Sequence, residues 1–161
     1  MRDEDFERLY AAEAKGLFAF LAYRTGDRAL AEDLLADAFE RALRARRRFD
    51  PRRGSQKAWL YGIALNLLRD HARRAAAEGR ALERSGAPVG AAADARMESL
   101  GEREALHRAL ATLAPEEREA IALRFGAELT VPEIAKLLGE PLTTVEGRVY
   151  RALRKLRERL Q

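Results

Sequence analysis

Arg148, Arg151 and Lys155, spaced three and four residues apart near the C-terminus, are side chains that could bind a polyanion. A guanidinium can bond two acceptors on a base edge or a phosphate, and this spacing puts all three groups on one helix stripe, with Thr144 and Gly147. A second polar set lies mid-chain. Arg52 and Arg53 sit at the tip of the loop FDPRRGSQKAW, and Gly62, Asn66, Arg69 and Arg73 follow at helical spacing. A glycine among polar and basic residues lets a backbone or phosphate approach closely, and Asn or Arg can bond base edges or phosphates. The third set is acidic: Glu32, Asp33, Asp37 and Glu40 precede Arg41 and Arg44. Acids early and bases late complement a helix dipole, so charge alone leaves a docking surface and a solvated face equally open.

Catalytic constellations are absent. The sequence has no Walker-type loop, no HExxH and no GxSxG, and its carboxylates are accounted for by caps, dipoles and ion pairs. There is no cysteine, and His71 and His107 are the only histidines, so disulfides, thiolate metal sites and histidine-based sites are excluded. No catalytic residue, metal ligand or cofactor is expected.

Net charge is only +4, but its distribution is uneven. Arg41 to Lys57 holds eight Arg or Lys against one acid, and Thr143 to Gln161 holds six against two. Such stripes matter more to a polyanion than the total. The opening MRDEDFERLY is charged from its second residue, and no apolar run approaches membrane-spanning length. A soluble, cytoplasmic protein without a membrane partner is expected.

These sets must be positioned by helices. Apolar periodicity predicts a first helix over 3–25, stopped by Gly26, and a second from Arg28 to about Arg47 capped by Asp27. The second should bury Leu30, Leu34, Leu35, Ala38, Phe39, Ala42 and Leu43. Asp50, Pro51 and Gly54 force a loop, and a third helix runs from about Gln56 to Ala77. The Ala- and Gly-rich stretch that follows cannot bury a core and reads as a flexible linker. Ser99 and Glu102 form a capping box for a fourth helix. PEEREAIALRFG, opened by Pro115, reads as a fifth with Ile121, Ala122 and Phe125 inward. Thr130, Pro132 and Glu133 open a short sixth, Gly139 and Pro141 end it, and Thr143 is placed to cap a seventh. A short apolar helix, a tight turn and an Arg-rich helix make the pattern of a DNA-reading helix-turn-helix. The expected fold is all-α, with two small helical domains over 1–76 and 99–161 joined by a linker over 77–98.

The succession LAEDLLADAFERALR, RFDPRRGSQKAWLYGIALNLLRDHARR, LATLAPEEREAIALRF and the terminal helix-turn-helix resembles the extracytoplasmic-function (group 4) sigma factors of bacterial RNA polymerase. The likeness covers the chain except the linker. It implies a factor that binds core polymerase, its β and β′ subunits, and directs promoter-specific initiation. Glu32, Asp33, Leu34, Asp37 and Phe39 match the motif that docks on the β′ coiled coil. Arg52, Arg53 and Ser55 fall in the loop that captures a flipped promoter base, and Trp59, Asn66, Arg69 and Arg73 on the helix that holds the opening duplex. Thr143, Thr144, Arg148, Arg151 and Lys155 fall where the distal element is read. By the same analogy an anti-sigma factor is a further partner.

Four positions depart from that pattern. Gly62 and Leu65 stand where a basic residue is common, and Glu146 and Gly147 where Lys and Ser are frequent. Fewer phosphate contacts should weaken nonspecific affinity and flatten its salt dependence. Two rival readings are a conventional helix-turn-helix regulator that binds duplex DNA alone and a helical module that binds a regulator. Neither gives a use to the acidic motif and the melting loop together.

Overall fold

The structure, a computed structural model, describes residues 1–79 and 100–161. Ser99 and nearly all of the expected linker fall outside these residues. Among the described residues seven α-helices occur in order: α1 (Asp3–Thr25), α2 (Arg28–Ala45), α3 (Gln56–Ala77), α4 (Leu100–Ala111), α5 (Pro115–Ile121), α6 (Val131–Leu138) and α7 (Leu142–Leu160). Among the described residues there is no strand.

Local chemistry sets most boundaries. Gly26, at φ 67°, closes α1, with its amide donating to the Ala22 carbonyl at 2.8 Å. The Asp27 carboxylate accepts from the Leu30 amide at 3.1 Å to start α2. Helix α2 is shorter than its periodicity suggests, passing into a single 3-10 turn over Arg46–Arg48. Leu43, expected inward, is exposed near its end. The Ser55 hydroxyl accepts from Ala58 to cap α3. Leu17 and Leu21 of α1, Ala31 and Ala38 of α2, and Leu60, Tyr61, Ala64 and Leu65 of α3 form the centre of the N-terminal three-helix unit.

In the C-terminal unit, Thr130 and Glu133 cap α6 reciprocally, and Gly139 at φ 68° ends it. Two expectations change here. Helix α7 begins at Leu142, one residue before Thr143, because the Pro141 carbonyl accepts the amides of Thr144 and Val145. Thr143 therefore lies inside the first turn. The run after Pro115 is not one regular helix: α5 stops at Ile121 and Ala122–Gly126 form a π-turn, whose Ala127 amide reaches the Ala122 carbonyl. The wider turn alters the facing of the side chains that follow. Leu123 is fully buried, while Phe125, expected in the core, is 50% exposed.

Helix α7 packs against α4, α5 and α6, and buries Val145, Val149 and Ala152. The two units also touch, α3 against α6 and α1 against the π-turn. Beside that second contact lies an apolar groove of about 890 Å³, lined by Phe18, Tyr23, Leu106, Phe125, Leu153 and Leu156 among others. Among the described residues no helix is long and apolar enough to cross a membrane.

Candidate nucleic-acid and docking surfaces

Three surfaces carry the residues singled out from the sequence. On α2, Glu32, Asp33 and Asp37 are exposed and form no ion pair among the described residues. Leu34 and Phe39 are buried, and Phe39 packs against Phe6 and Tyr10 at ring-centroid distances of 6.3 and 4.7 Å. These two therefore anchor α2, and the solvent-facing groups of the motif are its three carboxylates.

The second surface begins in the loop before α3. Arg52 and Arg53 lie on a single 3-10 turn, Pro51–Arg53, capped by the Asp50 carboxylate, which accepts the Arg52 amide at 3.0 Å. Hydrogen bonds from the Arg52 side chain and amide outweigh desolvation and hold the Asp50 carboxyl below its ordinary value. Trp59 is half-buried, its ring set edge-on to Phe49 with centroids 5.3 Å apart. Asn66, Arg69 and Arg73 are exposed along α3, and Arg73 also pairs with Asp70 one turn back. Leu65, at a position where the family it resembles commonly has a basic residue, is 1% exposed and belongs to the core. A β-carbon on Gly62 would meet Leu137 of α6 at 3.4 Å, so the close neighbour of this glycine is a helix, not a phosphate.

The third surface is on α7, where the basic stripe is largely engaged within the protein. Arg148 donates to both carboxylate oxygens of Glu140, at 2.5 and 2.7 Å, and is only 17% exposed. Its hydrogen bonds outweigh desolvation and, with the charges of Arg148 and Arg69, hold the Glu140 carboxyl below its ordinary value. This bidentate pair clamps the turn of the helix-turn-helix to its second helix. Lys155 donates to Glu117 of α5 at 2.9 and 3.2 Å. Glu117 is 8% exposed and also accepts the Ala114 amide at 3.0 Å. Desolvation raises its pKa, but these bonds and the charges of Lys155 and Arg151 outweigh it and keep the carboxyl ionised. Arg151 lies across Gly147, whose missing side chain makes room for the guanidinium, and reaches 3.8 Å from Glu117.

Thr144 is half-buried, and Thr143 and Arg151 remain accessible. The face of α7 open to solvent is a neighbouring one: Thr143, Glu146, Tyr150, Arg154 and Arg157 follow one another at steps of three and four. Tyr150, Arg154 and Arg157 were not singled out from the sequence. The signal was available in Tyr150, a large aromatic outside the apolar stripe of Val145, Val149, Ala152 and Leu156.

Comparison with known proteins decides what these surfaces belong to. Residues 9–78 match Sigma-70 region 2, and residues 103–156 match Sigma-70, region 4. RNA polymerase sigma factor CarQ of Myxococcus xanthus is 37% identical over 159 residues, covering 96% of this chain and 88% of CarQ. The chain belongs to the extracytoplasmic-function sigma factors of the sigma-70 family. Members of this family direct promoter-specific transcription initiation. ECF RNA polymerase sigma factor BldN of Streptomyces coelicolor is 33% identical over 161 residues, covering 94% of this chain but 58% of BldN. Among solved structures, the sigma factor RpoE of Bartonella quintana, in complex with the anti-sigma factor NepR, superposes with a TM-score of 0.73. It is 25% identical, and the match covers 98% of this chain and 97% of RpoE.

Proposed function

We propose that this chain is a group 4 sigma factor, built as two domains over 1–76 and 99–161, that works in the cytoplasm without catalysis of its own. It docks on core polymerase through Glu32, Asp33 and Asp37, which meet basic residues of the β′ coiled coil. Anchoring α2 by Leu34 and Phe39 gives that acidic face a fixed geometry. The loop at Arg52–Ser55 takes a base flipped from the proximal promoter element, while Trp59, Asn66, Arg69 and Arg73 hold the opening duplex. Unstacking a base costs a few kcal/mol, which stacking and edge contacts in a pocket must offset.

At the distal element, Thr143, Glu146, Tyr150, Arg151 and Arg154 face the major groove. Arg148 and Lys155 act indirectly, by fixing the angle at which α7 is presented. An anti-sigma factor is a partner by likeness to RpoE, which is seen bound to one. The observation that carries the reading is the juxtaposition in one chain of a carboxylate triad without ion-pair partners among the described residues, a basic loop beside an aromatic pair, and a helix-turn-helix.

The test is reconstitution. The chain added to core polymerase on genomic promoter fragments should give start-site-specific transcripts, and Asp33→Arg should abolish core binding while the circular dichroism stays unchanged. Transcripts from no fragment, or unchanged binding by the variant, would sink the corresponding assignment.

A further inference from the structure

Arg151 differs from the other cations of its stripe on α7 in what fixes it. Arg148 and Lys155 end in carboxylates at hydrogen-bond distance, Glu140 and Glu117. Arg151 stays further off: its Nε lies 3.8 Å from Glu117, and its side chain is 52% exposed. On the other side the guanidinium lies over Gly147, one turn back. A β-carbon there would meet Nη1 at 3.0 Å, and Cζ and Nη2 at 3.6 Å. A helical side chain leans back over the residue four before it, so Arg151 reaches this seat in an ordinary direction.

The backbone does not ask for glycine at 147. The residue lies inside α7 and is not among the glycines at positive φ. In a helix interior glycine is the least favourable residue after proline, because it loses the most freedom on folding. The three heavy atoms nearest its missing side chain all belong to Arg151. What the glycine serves is therefore the guanidinium. A loose arginine on an exposed helix must be ordered when it binds, which costs affinity and blurs which acceptor it meets.

We infer that Gly147 is the specificity-determining residue of the distal reader: it seats the Arg151 guanidinium between the helix backbone and Glu117, so that this planar fork meets one base edge, a guanine, in the major groove. An arginine fork matches the two acceptors of guanine there. The inference rests on α7 being the helix that reads the distal element, with Arg151 facing the groove. Arg151 makes the contact, and Gly147 acts through it as a positioning residue.

The test uses the full chain assembled with core polymerase. The genomic fragment that this assembly binds most tightly is randomised upstream, and bound and unbound duplexes are sequenced. The original chain should prefer a G·C pair at one position about five- to 150-fold. Arg151→Ala should lose that preference, and so should Arg151→Lys, which keeps the charge without the fork. Gly147→Val should lower it about two- to tenfold at that position alone. Gly147→Ala should lower it less, since the guanidinium needs to give only by a few tenths of an ångström. By helix propensity Gly147→Ala should also raise the folding equilibrium constant up to about fivefold, so its lost preference is separated from lost fold. In an Arg151→Ala background, Gly147→Val should change nothing further.

Three results would overturn the positioning role while leaving α7 as the reader: an unaltered preference in both Gly147 variants, a weakening spread evenly over all positions, or an effect that survives in the Arg151→Ala background. A preference kept by either Arg151 variant would remove the guanidinium fork from base reading, and the role of Gly147 with it. No preference at any upstream position would overturn the reading of α7 itself, so the two failures are told apart.

Discussion

Helices α3 and α7 are both long and basic on one side, yet they hold their polar groups differently. Along α3, Asn66, Arg69 and Arg73 extend into solvent, and the helix is kept in place by Leu60, Tyr61, Ala64, Leu65 and Leu68 on its other side. In α7, two cations aligned on the expected reading stripe are committed inside the protein, Arg148 to Glu140 and Lys155 to Glu117. The difference follows from surroundings. Helix α7 is flanked by α4, α5 and α6, so residues beside its apolar stripe meet other helices before they meet solvent. A basic helix face thus has two uses: Arg73 pairs along its own helix, with Asp70, and stays in solvent, whereas Arg148 and Lys155 pair with carboxylates on neighbouring elements and tie α7 to them.

The largest break in this comparison should come from Glu117. Glu117→Ala leaves the Lys155 ammonium without a partner against α5 and the Ala114 amide unsatisfied. The expected loss is about 2–3 kcal/mol by urea unfolding, below the range for a fully buried pair because Lys155 remains partly in water. The lowered carboxyl pKa sets the pH window. Its contribution is present above the ordinary value of 4.5 and lost as the pH falls through the lower folded-state value. Glu117→Gln should flatten that part of the pH–stability curve, and an unchanged curve would show that other groups control it.

A smaller effect is expected at the turn. Arg148→Ala should cost about 1–2 kcal/mol, and a double-mutant cycle with Glu140→Ala should show most of that as coupling. Its DNA binding should weaken uniformly across distal-element sequences. Altered preference at one base position would instead make Arg148 a reader. Smallest in stability are the solvent-facing residues. Tyr150→Ala and Arg154→Ala on α7, and Asn66→Ala on α3, should each stay within about 0.5 kcal/mol of the original chain. The α7 pair should lose binding to distal-element duplex, and the α3 variant should reduce promoter opening measured by permanganate reactivity. If Tyr150→Ala and Arg154→Ala bind normally while Arg151→Ala does not, the reading face lies nearer the stripe the sequence suggested.

Much of the fold was legible because its signals are local. Asp27, Ser55, Thr130 with Glu133, and Gly26 and Gly139 each act on amides or carbonyls within one turn, and the helices begin and end at them. Phe125 was misplaced because a π-turn has no clear local signature, and Thr143 because the Pro141 carbonyl already accepts the first free amides of α7. Leu34 and Phe39 illustrate another limit: one short motif combines residues that face solvent with residues that hold the helix. Gly62 was read as a place for a backbone or phosphate to approach, and what meets it is the Leu137 side chain, from the far side of the chain.

Helical periodicity, capping, the order of the motifs and the family were determined by the sequence itself, since each depends on residues a few positions apart or on their succession. Tertiary structure alone decided which charges are free. Glu140 and Glu117, the partners of Arg148 and Lys155, lie 8 and 38 residues away, the Arg53 carbonyl that Lys136 donates to lies 83 away, and Glu119, which pairs with Arg24 of α1, lies 95 away. A charge seeks the nearest opposite charge or carbonyl in space, and sequence spacing does not measure that distance.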